Sequence, residues 1–129
     1  MPHNIEIPDY VIERIMAKRG KLEVFDRFEA AKTAFLVIDM QNFYVAEVDT
    51  AISIVPNINR IATACRGKGV PVIWVIMTVA DEVGAPSQWR LYHEYFFTDA
   101  KGKNHLTQLS EGHKGHKLYP DLDVKDGEE

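Results

Sequence analysis

The sequence predicts an α/β protein, a parallel sheet packed between helices, and three stretches carry the prediction. Ala34 to Ile38 is an unbroken apolar run that ends abruptly in the carboxylate of Asp39. Val70 to Thr78 is a second run, rich in branched and aromatic residues. Between them, Ala51 to Arg66 repeats apolar residues at helical spacing. Strand, helix, strand in that order is a βαβ unit, so the two strands are expected to be parallel with a right-handed crossover. Runs that are continuous, not alternating, mark strands covered on both faces.

Taken in order, residues 1–7 read as an irregular arm. Pro8 to Arg19 reads as a short amphipathic helix, with Val11, Ile12, Ile15 and Met16 on one face. Pro8 suits its first turn, Lys18 and Arg19 sit where the helix dipole favours cations, and Gly20 can close it. Leu22, Val24, Phe25 and Phe28 follow in an apolar connector, and then comes the strand at 32–40.

In the crossover helix, Ile54, Ile58, Ile61, Ala62 and Cys65 form the expected stripe. Pro56 is expected in or near its first turn, and Gly67 is the natural stop. After the second strand, Val79 to Ser87 is a loop. Ser87 is positioned to cap a helix from Gln88 to about Thr98, with Trp89, Tyr92 and Phe96 on one face. Asp99 to Lys103 reads as a polar turn and Asn104 to Leu109 as a short helix ended by Gly112. From His113 the chain is loop-like, with Leu118, Tyr119, Pro120 and Leu122 as its last apolar anchors.

Two strands are too few for a sheet that stands alone. Both read as central, so the expectation is that residues 32–129 are the first part of a larger domain, or that a second chain completes it. Residues 1–31 are then an N-terminal arm and helix. By itself the chain is expected to be inactive and to aggregate through its uncovered edges.

Composition narrows the function classes. With 129 residues the chain is at most one domain, and a net charge of −4 without a basic patch argues against nucleic acid or an anionic membrane as partner. The apolar run from Val70 falls far short of the roughly 20 residues that span a bilayer. Residues 1–20 have no apolar signal-peptide core, and the single cysteine fits a reducing compartment. The expected location is the cytoplasm.

Asp39 is the leading candidate for chemistry. In parallel α/β sheets the ligand crevice lies beyond the carboxyl ends of the strands. An acid at that point faces a pocket and is backed by a dry core, where its basicity can be tuned. The plainer alternative is an acid that caps the turn after the strand. Cys65 lies on the apolar stripe and reads as a small core residue and not as a nucleophile. His113 and His116 have a spacing that can serve a metal, but no cysteine or second pair accompanies them, so a solvated loop is the better reading. His105 could face the cleft or solvent. The aromatic stripe of Trp89, Tyr92 and Phe96 most simply means core packing.

Thr33-Ala34-Phe35-Leu36-Val37-Ile38-Asp39-Met40-Gln41-Asn42 closely resembles the opening motif of the isochorismatase-like hydrolases, also called cysteine hydrolases. Pro56 to Ile61 and Ala64 to Trp74 are similar to that family's first crossover helix and second strand. The resemblance implies a three-layer α/β/α sandwich, Rossmann-like in outline. It also implies amide hydrolysis by an aspartate, lysine and cysteine triad, with Asp39 as the base that activates the thiol. Tyr44 keeps an aromatic at the pocket mouth, as in branches that act on ureido compounds. In the family the segment after the second strand borders the substrate pocket or an oligomer contact, which makes Trp89 and Tyr92 candidate substrate contacts.

The sequence departs from the family pattern in three respects. Phe43 and Tyr44 replace the common Asp and Phe. The nicotinamidase-type cluster of metal ligands is missing between Thr78 and Trp89. The lysine and cysteine have no counterpart in 1–129, and Lys125 lies in the loop that precedes the lysine strand in the family, so it is not assigned the role.

The resulting expectation is a hydrolase cleaving the C–N bond of a small carboxamide, urea-like or ureido compound. It has no cofactor and no metal, and it is a homo-oligomer or is complemented by a C-terminal chain. The alternatives are a vinyl-ether hydrolase of the isochorismatase type without the cysteine, and a non-catalytic family member completed by another chain. A flavodoxin-like nucleotide site is disfavoured because no glycine-rich phosphate cradle follows Asp39.

Overall fold

A computed structural model describes residues 6–82 and 84–128. The first helix, α1, spans Asp9–Arg19. Pro8 precedes it with φ −57°, Asp9 occupies its first turn and Lys18 and Arg19 its last, and Gly20 closes it at φ 72° with its N–H on the Met16 carbonyl. The expected face is only partly used. Val11, Ile12 and Ile15 are half-buried, Met16 is exposed, and no residue of α1 is buried. A short 3₁₀ turn at Ala30–Lys32 leads into the sheet.

Strands β1 (Phe35–Ile38) and β2 (Val72–Val75) form a parallel pair in the register Phe35↔Val72 to Ile38↔Val75. Both are shorter than the apolar runs that predicted them. After β1 comes a single helical turn, α2 (Asn42–Val45), and then the crossover helix α3 (Asp49–Arg66). The α/β architecture and the parallel pair agree with the sequence reading.

The stripe on α3 is rotated from the one predicted. Ala51, Ile52, Val55, Ile58, Ala62 and Cys65 face the core, whereas Ile54 and Ile61 are exposed. The spacing 51, 55, 58, 62, 65 keeps one line along a helix better than a stripe begun at Ile54. Pro56 lies inside the helix, not in its first turn. It is on the exposed side, where water can hydrate the carbonyl left without an amide partner.

The core is one cluster of Val37, Met40, Val45, Val55, Ala62, Val72, Trp74 and Leu122, with Leu118, Tyr119 and Val124 packed against it. It fills the space between α3, one face of the sheet, and the C-terminal segment. That segment is clipped to α3. The Arg66 guanidinium donates to both Glu128 carboxylate oxygens at 2.7 Å, to the Asp123 carboxylate at 3.0 Å and to the Asp123 carbonyl. The Trp74 indole donates to Glu128 at 3.1 Å. Asn59 donates to the Asp121 carbonyl and accepts from the Asp123 N–H, both at 2.8 Å. The acid-rich tail is therefore ordered structure.

The other face of the sheet is bare. Leu36, Ile38, Ile73 and Val75 are between 37 % and 58 % exposed, against 4–6 % for Val37, Val72 and Trp74 on the covered face. The predicted cover on both faces is thus found on one face among the described residues.

Beyond β2, Val79 and Ala80 are fully buried and pair with residues 109–111. Helix α4 covers only Arg90–Tyr95, shorter than expected. The Ser87 hydroxyl accepts from the Trp89 N–H, making a local turn instead of a helix cap. Helix α5 runs from Asp99 to Gln108, so the predicted polar turn is its first half. Thr98 caps it by accepting from the Lys101 N–H. Gly102 sits at the crossing with α4, where a Cβ would lie 3.6 Å from the His93 carbonyl.

Candidate active site

Asp39 follows the last residue of β1, and its N–H donates to the Val75 carbonyl at 2.9 Å. That bond extends the ladder one step and then the chain turns: Asp39 has φ 57°, the only non-glycine residue with positive φ among those described. An aspartate tolerates the left-handed region better than most residues, and such outliers concentrate at functional sites. The side chain is exposed and makes no hydrogen bond or ion pair with any described residue. It does not cap the following turn, which removes the plainer reading of this acid.

Gln41 holds the turn in place. It is completely buried and satisfies all its polar partners at once. Its amide nitrogen donates to the Met77 carbonyl at 3.0 Å and to the His116 carbonyl at 2.6 Å, and its amide oxygen accepts from the Met77 N–H at 2.7 Å. One side chain therefore ties the exit of β1 to the exit of β2 and to a loop 75 residues away. The backbone repeats the tie. Residues 40–43 run antiparallel to 115–119, with bonds from Tyr119 N–H to Met40, Asn42 N–H to Lys117 and Phe43 N–H to Gly115 at 2.9–3.0 Å. Gly115 is needed there because a Cβ would fall 2.7 Å from the Gln108 carbonyl. His116 then meets the Thr78 hydroxyl at 2.8 Å. The His113–His116 stretch is a structural tie, not the solvated loop expected.

Tyr44 stands beside Asp39, half-buried, with its hydroxyl donating to Met77 Sδ at 3.0 Å. Burial pushes its phenol above the ordinary tyrosine value, and the nearby Asp39 charge adds to the shift. The phenol stays neutral, with its one proton engaged by Met77. Phe43 packs edge-on against Tyr44 at 5.1 Å and lines, with Asn42, Glu47, Asn104, Gln108 and Lys114, a cleft of about 370 Å³.

Asp39 and Tyr44 are thus brought together, while Trp89 and Tyr92 lie apart from them. Trp89, Tyr92 and Phe96 stack as a ladder with ring centroids 5.3 and 5.1 Å apart, on the surface and not in the core. They connect to Tyr44 only through Phe97, His105 and Phe43. Cys65 packs half-buried against the core cluster, as the helical stripe implied. Among the described residues no three His, Cys, Asp or Glu side chains converge as metal ligands, and no helix is long and apolar enough to cross a membrane.

Sequence reasoning assigned no role to Gln41 or His93 and left His105 between cleft and solvent, whereas it is buried. Gln41 carried no signal that set it apart from its polar neighbours Asp39 and Asn42. The two histidines carried none, since they meet across a helix crossing that the sequence does not announce.

Residues 33–129 match the family profile described as the isochorismatase domain. The chain belongs to the isochorismatase family. Among isochorismatase relatives, a protein of Arabidopsis thaliana named "probable inactive nicotinamidase" is 47 % identical over 49 residues. That match spans 34 % of this chain and 25 % of the relative's length. The isochorismatase profile begins where the described sheet begins, so Asp39, Gln41 and Tyr44 all fall inside it.

Proposed function

We propose that Asp39 is the general base of an amide-cleaving cysteine hydrolase, and that this chain forms the base-bearing part of the active site. The observation that carries the reading is the Asp39 carboxylate itself: exposed, unengaged, and held in a left-handed turn at the carboxyl end of a parallel strand. The substrate class is a small carboxamide, urea-like or ureido compound. Asp39 takes the proton of a cysteine thiol, the thiolate attacks the carbonyl carbon, and the amine leaves. Water then hydrolyses the thioester. Tyr44 borders the substrate as a neutral phenol. No metal or other cofactor takes part.

The lysine and cysteine come from outside residues 1–129, on a complementing C-terminal segment or chain. Cys65 is held in the core face of α3, and Lys125 pairs with Asp123. The hydrolase domain begins near residue 32, with 1–31 as an appendage. The working form is a cytoplasmic oligomer.

A second reading is a non-catalytic family member that pairs with another chain, which the likeness to the Arabidopsis relative favours. Complementation separates the two. The chain is mixed with the lysine- and cysteine-bearing part of a family enzyme and assayed for ammonia release from carboxamides and ureido compounds. The expected result is activity that Asp39→Asn lowers by about 10²–10⁴-fold. Full activity in the variant removes Asp39 from the base role. A stable complex with no activity favours the second reading.

A further inference from the structure

His105 of α5 is buried, with its ring between Phe43 of α2 (centroids 5.5 Å apart), Phe97 (5.1 Å) and His93 of α4 (5.2 Å). Its Nδ1 lies 3.0 Å from Nε2 of His93. A neutral imidazole carries one N–H and one lone pair, so this contact needs one of each. The other nitrogen of His93, Nδ1, is buried with no partner among the described residues. A buried N–H without an acceptor is rarer and more costly than an unmet lone pair. His93 therefore donates from Nε2, and its Nδ1 carries the lone pair.

Neither ring can accept a proton in this arrangement without loss. A proton on His93 Nδ1 creates a buried N–H with nothing to bond. A proton on His105 Nδ1 sets two N–H groups head to head across 3.0 Å. No carboxylate forms an ion pair with either ring among the described residues. The α5 neighbour is Lys101, a cation over the Phe97 ring at 5.2 Å. α2 presents the uncharged Phe43, and the α4–α5 turn presents the uncharged Phe97. His93 borders an open cleft that it shares with Asp99, Lys103 and Glu94, and Glu94 is engaged by Arg90 at 2.5 Å.

We propose that the His93–His105 pair is a proton-operated latch: neutral, it holds the α4–α5 hairpin against Phe43; protonated, it releases the hairpin from α2 and frees the Phe43–Tyr44 wall next to Asp39. The latch stands independently of the hydrolase reading. Burial, with His93 and Lys101 adding to it, holds His105 below the ordinary histidine value of 6.5. A depressed histidine gives stability that is complete above its unfolded value and is lost as pH falls through the folded one. The hairpin is closed at neutral pH and opens in acid.

The test is amide hydrogen exchange of the 129-residue chain at about pH 7.5 and about pH 5, spanning the histidine range and corrected for intrinsic rates. Peptides from 90–108 are compared with peptides from α3. Protection in 90–108 is expected to fall at least about tenfold in acid while α3 is unchanged. His105→Phe is expected to abolish the response, and His93→Gln to weaken it. The His105 Cε1–H resonance of the wild type gives a reading that needs no variant: it should titrate at the opening midpoint. The latch is overturned by absent protection at pH 7.5, by a parallel change in α3, by an undiminished response in His105→Phe, or by a His105 resonance that titrates apart from the opening.

Discussion

The two faces of the β1–β2 sheet carry the same kind of side chain in opposite surroundings. On one, Val37, Val72 and Trp74 are sealed beneath α3 and the 118–124 segment. On the other, Leu36, Ile38, Ile73 and Val75 alternate with them along the same strands and remain exposed. The difference teaches that an apolar strand does not choose its cover. Cover comes from elements distant in sequence, and the stability of the fold resides where they dock. Asp39 sits at the end of the strand both faces share, positioned by Gln41 and the 115–119 segment.

The sharpest way to break this comparison is to truncate one residue on each face. Trp74→Ala is expected to cost about 3–5 kcal/mol, since it opens a cavity in the core and removes the indole donor to Glu128. Ile38→Ala is expected to stay within about 0.5 kcal/mol of the wild type. Urea unfolding of both variants checks this. Comparable losses would mean that the outer face is covered in solution by a second copy or another chain.

A smaller effect sharpens what covers the inner face. Arg66→Gln removes the bidentate clip between α3 and the tail, with an expected loss of about 1–2 kcal/mol at neutral pH. The clip also sets a pH dependence. Its hydrogen bond from Arg66 holds the Glu128 carboxyl down to about 2, from an ordinary 4.5, with the Trp74 indole assisting. A depressed carboxylate contributes stability that is present above its unfolded value and lost as pH falls through the folded one. Wild-type stability should therefore decline between about pH 4.5 and about pH 2, and Arg66→Gln should flatten that decline. Denaturation midpoints across this range read both effects. An unchanged slope in the variant would place the acid sensitivity elsewhere.

The legible part of this protein was local. β1, α3 and β2 were readable because period and punctuation act over a few residues, and Asp39 was readable because a carboxylate at the end of an apolar run is conspicuous. The illegible part was long-range. Continuous hydrophobicity in β1 and β2 was read as cover on both faces, but a run of apolar residues states only what each face would gain from cover. Gly115 was ambiguous for the same reason. A glycine marks either a turn or a close approach, and here it is a close approach to Gln108 of α5. Gln41 and His105 owe their roles to His116 and His93, which the fold brings near. The aromatic stripe of α4 had correct internal spacing and the wrong destination, because spacing fixes a face and not what meets it.

The smallest expected change in stability is the most informative about association. Ile38→Lys puts a cation on the bare face at its Ile38–Val75 end, where the unfolding free energy should move by no more than about 0.5 kcal/mol. Burying that ammonium in any contact would be costly unless it were paired, so every association that uses this face should weaken. Sedimentation velocity over a concentration series is expected to show self-association reduced about tenfold, which corresponds to about 1.4 kcal/mol. Ile61→Lys, also at an exposed site but on α3, serves as the control and should leave association unchanged. Association that survives Ile38→Lys would move the contact to the other large apolar surface, the Trp89–Tyr92–Phe96 ladder. That outcome would leave the bare face waiting for a different chain, as expected if the sheet is completed by a segment carrying the rest of the active site.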